Sequence, residues 1–143
     1  MAFLDSSVLL ASLDPEEAHH AVGDRLLSAG GHPMYAHAHA LAESFSVLTG
    51  GREGRRFSAQ SVAALMEKGL LPYVAPQTLT GKDFIDAMRA AHHRGGGGGA
   101  IYDWLHLAAA RKARAEMFFI LSLRDFQALA RPGDPAIQSP TNR

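Results

Sequence analysis

The chain has 143 residues, 47% of them hydrophobic, which suits one compact domain with a core large enough to be stable without covalent staples. Cysteine is absent, so disulfides and thiolate metal sites are excluded, and any site chemistry must use oxygen or imidazole groups. Fourteen basic residues balance fourteen acidic ones, so any contact with a polyanion must depend on local charge.

Short apolar runs and capping residues predict alternating strands and helices in the first fifty residues. Ala2 to Leu4 predicts a strand with Asp5 at its carboxyl end, and Ser6 and Ser7 can cap a helix that begins near Val8. The segment 14–17, Asp-Pro-Glu-Glu, predicts a second helix running to about residue 28, because it combines a capping side chain, a first-turn proline and acids favoured by the helix dipole. A brief strand at 32–36 and a helix at 38–49 follow.

The middle of the chain begins with a basic link and ends with a run of glycines. The link contains Arg52, Arg55 and Arg56, after which Ser58 predicts the start of a helix reaching about residue 68. A short strand at 73–74 and a helix at 80–92 come next. The glycine run at 95–99 lacks the phosphate-binding signature GxxxxGK[ST], so a flexible connector is the favoured interpretation.

The last third of the chain carries the clearest strand. A helix is predicted over about 101–114, with Asp103 in its first turn, and the apolar run 117–121 predicts a strand buried on both faces, with Asp125 just past its end. The tail from residue 131 contributes at most one edge strand, near 136–138. This alternation predicts an α/β three-layer sandwich, a mainly parallel sheet of about four to five short strands between helices, with ligands at the carboxyl ends of the strands.

Four acidic segments occur in an order that matches a known family. They are Leu4 to Leu10 around Asp5, Ala42-Glu43 followed by Val47 to Thr49, Gly98 to Asp103, and Leu121 to Phe126 around Asp125. Together they resemble the motifs of PIN-domain ribonucleases, particularly the VapC-type toxins of bacterial toxin–antitoxin pairs. The resemblance runs from Phe3 to about Leu129, and the glycine-led segment ending at Asp103 is the most specific match.

The resemblance implies a single PIN-like domain over residues 1–143 and a metal-dependent endoribonuclease whose products carry a 5′-phosphate and a 3′-hydroxyl. It assigns the metal-binding and catalytic roles to four acids, Asp5, Glu43, Asp103 and Asp125. Ser7 and Ser122 would support them, although Ser122 stands where many relatives have Asn or Asp, and Ile120 where Thr is frequent. RNA, a cognate antitoxin that blocks the cleft, and a second copy in a homodimer are the implied partners.

Electrostatics gives an independent reason for a cation in such a cluster. Two carboxylates about 4 Å apart repel by about 4 kcal/mol at an effective dielectric constant near 20. Oxygen ligands without thiolates suit Mg²⁺ or Mn²⁺, which also accept phosphate oxygens. In the expected mechanism the ion lowers the pKa of a bound water, one acid orients or deprotonates that water, and the ion neutralises charge that grows in the transition state.

Basic residues and histidines offer further candidates. Local grip on RNA would come from Arg52, Arg55, Arg56, Arg94 and Arg124, although ordinary solvated arginines fit the same pattern. His39 and Glu43 have the i, i+4 spacing of helix-borne zinc ligands, a minor alternative to the all-oxygen site. His106 follows Asp103 by three positions and faces either the cleft or solvent.

Two other functions remain open from the sequence. A phosphatase that uses Asp5 as its nucleophile would need a second acid two residues later, where this chain has Ser7. A PIN-like scaffold that binds RNA or protein without cutting is the non-enzymatic alternative. The first residues carry no basic leader, and no segment approaches the roughly 18 apolar residues of a membrane helix, so we expect a soluble, cytoplasmic protein.

Overall fold

A computed structural model of the chain describes residues 1–50 and 57–142. Within these residues, five strands form one sheet in the order β3-β2-β1-β4-β5, and every pairing is parallel. The strands are β1 Ala2–Leu4, β2 Met34–His37, β3 Val74–Gln77, β4 Met117–Phe119 and β5 Ala136–Gln138. The helices are α1 Ser6–Leu13, α2 His20–Ser28, α3 Ala38–Thr49, α4 Ala59–Gly69, α5 Gly81–Arg94, α6 Ile101–Lys112 and α7 Leu123–Gln127.

The sheet is covered by helices on both faces, which confirms the predicted three-layer α/β sandwich. Successive side chains of a strand point to opposite faces, so Leu4 packs with residues of α1 to α4, whereas Phe3 packs with residues of α5 to α7. Strand β4 lies between β1 and β5, and Phe118, Phe119 and Ile120 are at most 1% exposed. The strand predicted at 117–121 is therefore confirmed over Met117–Phe119, where helices cover both faces, while Ile120 and Leu121 lie beyond its end.

The first two helices differ from their predicted bounds. Helix α1 begins at Ser6, not near Val8, because Asp5 itself is the N-cap and its side chain accepts a hydrogen bond from the Ser7 N–H. The predicted helix at 14–28 is wrong over residues 14–19, which are not helical. The Asp14 N–H donates to the Leu10 carbonyl at the end of α1, its carboxylate accepts from the Glu16 N–H, and the next helix begins only at His20.

Strands β2 and β3 extend further than their sequences indicated, to His37 and Gln77. Strand β3 tolerates Pro76 because it lies at the edge of the sheet, where a missing N–H interrupts no second pairing. The predicted edge strand at 136–138 is confirmed as β5. Among the helices of the described residues, none is long and apolar enough to cross a membrane.

Two features of the fold position the site. Strand β1 lies between β2 and β4, so the order in which successive strands are added to the sheet reverses at β1. In open α/β sheets, ligands bind beyond the carboxyl ends of the strands at such a reversal. Helix α5 ends at Gly95, whose φ of 70° is the left-handed conformation that glycine adopts without strain. A single 3-10 turn, Gly98–Ala100, then leads directly into α6 and brings Asp103 over the strand ends.

Candidate active site

Asp5 is the most firmly held acid of the candidate site. It follows β1, is 5% exposed, and its Oδ2 accepts hydrogen bonds from the Ser7 N–H at 3.0 Å and the Ser7 hydroxyl at 2.7 Å. The same hydroxyl accepts from the Leu121 N–H at 3.2 Å, so it joins the carboxyl ends of β1 and β4. Ser7 thus contacts the acid that the sequence predicted it would support.

The second oxygen of Asp5 is positioned to bind a cation. Oδ1 is buried and has no hydrogen-bond partner among the described residues. A buried carboxylate oxygen left unsatisfied is costly, and such groups in native proteins usually indicate a bound ion or water. Carboxylate oxygens suit a hard divalent cation such as Mg²⁺ or Mn²⁺, so Asp5 and the neighbouring acids fit the expected metal.

Asp103 shares an electrostatic field with the other acids. It lies in the first turn of α6, and its pKa is raised to about 6, first by burial and then by the negative charge of Asp5, with smaller contributions from Asp125 and Glu43. A carboxylate feels its neighbours this strongly only when they are close and incompletely solvated. The charges of Asp5, Asp125 and Glu43 therefore act on Asp103, although within the described part of the chain no three of these four acids have carboxylate oxygens that all lie within 4.8 Å of one another.

Glu43 is fixed by three hydrogen bonds. His39 Nδ1 and His106 Nε2 each lie 2.7 Å from Oε1, and the Ser6 hydroxyl donates to Oε2 at 3.1 Å. Burial alone would raise the pKa of Glu43, but the hydrogen bond and charge of His106, together with the other two bonds, lower it to about 2. Glu43 is consequently an ionised, oriented carboxylate, and it faces the same side of α3 as His39, as its spacing predicted.

Two buried histidines lie beside the acids: His106, for which the sequence left the cleft and solvent open, and His37, which was not predicted. His106 is 1% exposed and His37 is 2% exposed, and their Nδ1 atoms lie 3.2 Å apart. Burial, reinforced by the charge of His106, lowers the pKa of His37 to about 4. Burial opposes protonation of His106 as well, but its hydrogen bond to Glu43 and the nearby acids raise its pKa above the usual value.

Signals for both histidines existed in the sequence. His106 stands one helical turn after Asp103, so the two share a face of α6. His37 ends β2, at the same edge of the sheet as Asp5. A rule that every polar residue at the end of a parallel strand belongs to the site would have selected His37.

The fourth acid lies at the rim of the site. Asp125 is exposed in the first turn of α7, and its Oδ2 accepts a hydrogen bond of 3.2 Å from the Ser122 hydroxyl. Its negative charge contributes to the raised pKa of Asp103, so the two carboxylates interact electrostatically. The outer position of Asp125 leaves this corner of the site more open to solvent than the corner held by Asp5.

The two described arginines among those predicted to bind RNA lie in different surroundings. Arg94 forms an ion pair with Asp134 at 2.5 Å, its guanidinium lies 4.6 Å from the centre of the Trp104 ring, and its side chain is 13% exposed. This placement argues against an RNA-binding role, because the charge is already partnered inside the fold. Arg124 is exposed beside Asp125 on α7. Arg52, Arg55 and Arg56 lie outside the described residues.

An open cleft adjoins Glu43. It has a volume of about 760 Å³ and is lined by one face of α3, including His39 and Glu43, together with Tyr102. The Tyr102 ring is 51% exposed and stacks on the His39 ring at 5.6 Å between centroids. Carboxylates, imidazoles and an exposed aromatic ring beside a cleft can bind a divalent cation together with an extended polar ligand.

Comparisons with known proteins agree with this fold. The sequence profile described as PIN domain matches residues 2–130. The crystal structure of Mycobacterium tuberculosis VapC20, described as a Sarcin-Ricin loop cleaving toxin, superposes with a TM-score of 0.72 at 18% identity over 94% of this chain and 100% of that chain. FitAcB from Neisseria gonorrhoeae gives a TM-score of 0.66 at 17% identity over 100% of both chains. A toxin–antitoxin complex from Klebsiella pneumoniae gives 0.63 at 14% identity over 98% of both chains. Among curated protein sequences, no significant match is found.

Proposed function

The chain belongs to the PIN-domain family, and from this premise we propose that it is a metal-dependent endoribonuclease, the toxin of a type II toxin–antitoxin pair. The observation that carries the proposal is the unsatisfied, buried Oδ1 of Asp5 within a group of coupled acids. Such a group is unfavourable by itself and becomes favourable around a cation. A divalent ion held by these carboxylates would support metal-ion chemistry on a phosphodiester.

Four acids would hold the ion, Mg²⁺ or Mn²⁺: Asp5, Glu43, Asp103 and Asp125. When bound, the ion supplies a Lewis acid that neutralises charge developing on the phosphate and makes a neighbouring water more acidic. Ser7 holds Asp5 in place through Oδ2, leaving Oδ1 for the ion. Of these acids, Asp103 has its pKa raised to about 6 by burial and by the charge of Asp5 in the metal-free chain, so a bound cation would stabilise its ionised form.

RNA is the proposed substrate class. One structural neighbour is described as cleaving the Sarcin-Ricin loop, which supports RNA for this chain as well. The exposed ring of Tyr102 at the mouth of the cleft offers a surface on which an unpaired base can stack, and single-stranded or looped RNA presents such bases. Arg124 beside Asp125 is the described arginine best placed to contact a phosphate.

The proposed partners are an antitoxin and a second copy of the chain. Neighbouring structures include toxin–antitoxin complexes, which supports the first of these. An apolar groove between α1, α3 and α4, lined by Leu13, Leu48, Phe57 and Leu65 among others, offers a surface for an amphipathic helix of the antitoxin. A small open reading frame for a DNA-binding protein beside this gene would support the pairing, and we place the pair in the cytoplasm.

A cleavage assay tests the proposed function directly. Purified protein is incubated with total RNA in EDTA, Mg²⁺ or Mn²⁺, and compared with Asp5→Asn and Asp103→Asn. We expect cleavage only with a divalent ion, loss of cleavage in both variants, and 5′-phosphate ends on the products. Asp83→Asn is the matched control, because Asp83 is an acid on α5 engaged with Lys112 and the Thr80 cap.

Cleavage that persists in EDTA and in both site variants would reject the metal mechanism. RNA binding without cleavage under every metal condition would instead support the non-enzymatic scaffold. Release of inorganic phosphate from small phosphomonoesters, abolished by Asp5→Asn, would support the phosphatase, although the hydroxyl of Ser7 is already engaged where that chemistry needs an acid.

A further inference from the structure

The histidines around Glu43 form a donor set of a different chemical type from the acids. His39 Nδ1, His106 Nε2 and a Glu43 carboxylate oxygen all lie within 4.8 Å of one another, and in the described residues this is the only such group of three or more potential ligands. Both imidazole nitrogens point at the same oxygen, Oε1, at 2.7 Å. Ligands of a tetrahedral zinc ion lie about 2.0 to 2.2 Å from the metal and hence roughly 3.4 Å from one another, so small side-chain movements suffice.

The nature of the donors selects the kind of ion. Two imidazole nitrogens and one carboxylate are the three protein ligands of a common catalytic zinc arrangement, with the fourth position left for solvent. Mg²⁺ prefers oxygen ligands and binds imidazole poorly, whereas Zn²⁺ and its neighbours in the first transition series bind it well. The set therefore discriminates against the hard ion that suits Asp5.

The three side chains are also oriented by contacts with residues outside the donor set, as the ligands of zinc ions usually are. The Nδ1 atom of His106 lies 3.2 Å from Nδ1 of the buried His37, which leaves Nε2 for a metal. The Ser6 hydroxyl donates to Oε2 of Glu43 and leaves Oε1 facing the imidazoles. The His39 ring stacks almost parallel to the Tyr102 ring, with 10° between the planes.

We propose that His39, Glu43 and His106 form a second metal site, specific for a borderline transition-metal ion such as Zn²⁺, beside the hard-ion site of the acids. Glu43 belongs to both donor sets, so a zinc ion coordinated through Oε1 withdraws this carboxylate from the hard ion. If the chain is a nuclease as proposed, Zn²⁺ is an inhibitor that competes with Mg²⁺ or Mn²⁺ for Glu43. This part of the inference rests on the proposed function. The binding itself is independent of any activity.

Zinc binding is measured on the intact, metal-free protein without RNA. Zn²⁺ is titrated in competition with a chromogenic chelator, and thermal unfolding is followed in parallel. We expect one Zn²⁺ per chain, a rise in the unfolding temperature, and little displacement by a large excess of Mg²⁺. His39→Gln should weaken zinc binding at least tenfold, because even loss of an outer partner of a metal ligand costs about 10- to 100-fold.

Three further variants make the result decisive. His106→Gln should also lose zinc binding, but His106 is fully buried, so the half-exposed His39 carries the test if that variant unfolds. His92→Gln is the matched control for histidine content, since His92 lies at the far end of α5 against His93. Asp103→Asn should retain zinc binding while losing affinity for Mn²⁺.

Two binding results would overturn the site. One is zinc affinity in His39→Gln equal to that of the wild type, and the other is an equal loss in Asp103→Asn and His39→Gln, which would place zinc among the acids. The competition has its own test: if zinc binds as expected but saturating Zn²⁺ leaves Mn²⁺-dependent cleavage unchanged, Glu43 is not shared. A protein that binds zinc through His39 and cleaves no RNA would refute the proposed function alone.

Discussion

Neutralising Asp103 should stabilise the metal-free protein and should remove the stabilisation that Mn²⁺ gives it. The pKa of Asp103 is raised to about 6 by burial and by the charge of Asp5, so its ionised form is disfavoured in the folded chain relative to the unfolded one. This group therefore supports folding fully below its unfolded pKa near 4, and that support is lost as the pH rises through about 6. Asp103→Asn removes the charge at every pH.

The expected magnitude follows from the size of the shift. The pKa of Asp103 moves from 3.8 to about 6, and each unit corresponds to about 1.4 kcal/mol, which gives an upper bound of about 3 kcal/mol. Because the carboxylate is only half-buried, solvent screening reduces this to about 1 to 2 kcal/mol. For a chain of this length the unfolding temperature should rise by about 3 to 6 °C.

Thermal unfolding followed by circular dichroism measures this effect. In EDTA at about pH 7.5 the variant should unfold at a higher temperature than the wild type, and the difference should shrink at about pH 4, where the wild-type Asp103 is protonated. Adding Mn²⁺ should stabilise the wild type by mass action and leave the variant nearly unchanged. Asp83→Asn should show the opposite sign, because Lys112 and the Thr80 cap lower the pKa of Asp83 to about 2. A lower unfolding temperature for Asp103→Asn in EDTA at about pH 7.5, or a difference independent of pH, would refute the reasoning.

Three further predictions address the support of the site. Ser7→Ala removes the hydroxyl that bonds Asp5 Oδ2, so metal affinity should fall about 10- to 100-fold, and equilibrium titration with Mn²⁺ measures the loss. Cleavage at limiting Mn²⁺ should decline below about pH 6 as Asp103 becomes protonated, and higher Mn²⁺ should move this acidic limb to lower pH; a limb insensitive to Mn²⁺ would contradict ligation by Asp103. Asp134→Asn leaves the largely buried Arg94 without its partner, so urea unfolding should show a loss of about 2 to 4 kcal/mol, with Mn²⁺ affinity unchanged.

Local sequence signals predicted the strands and helices better than their exact beginnings. The run 117–121 could only be a strand buried on both faces, and β4 is one. The segment that begins at Asp14 looked like a helix start, but an aspartate can terminate one helix or begin the next, and the local sequence is the same in both cases. Here α1 extends to Leu13, so Asp14 ends it. The decision depended on the register of the preceding helix.

In the candidate site too, some residues could be selected from local sequence, whereas others depend on contacts between distant segments. Asp5 could be selected because it follows a predicted strand, and Asp103 because its glycine-led segment resembles a family motif. Arg94 could not be judged, because its partner Asp134 is 40 residues away and the pair forms only when α5 meets the carboxyl-terminal tail. His37 and His106 are 69 residues apart and meet only across the packed β2 and α6.

By itself, the sequence determined the fold class, the order of strands and helices, and the acids that follow the strands, because hydrophobic periodicity and capping act over a few neighbouring residues. Only the tertiary structure decided what surrounds each acid: the burial that raises the pKa of Asp103, and the imidazoles that hold Glu43. Burial and hydrogen bonding between distant segments arise when the elements pack, so the chemical character of these carboxylates is a property of the folded chain.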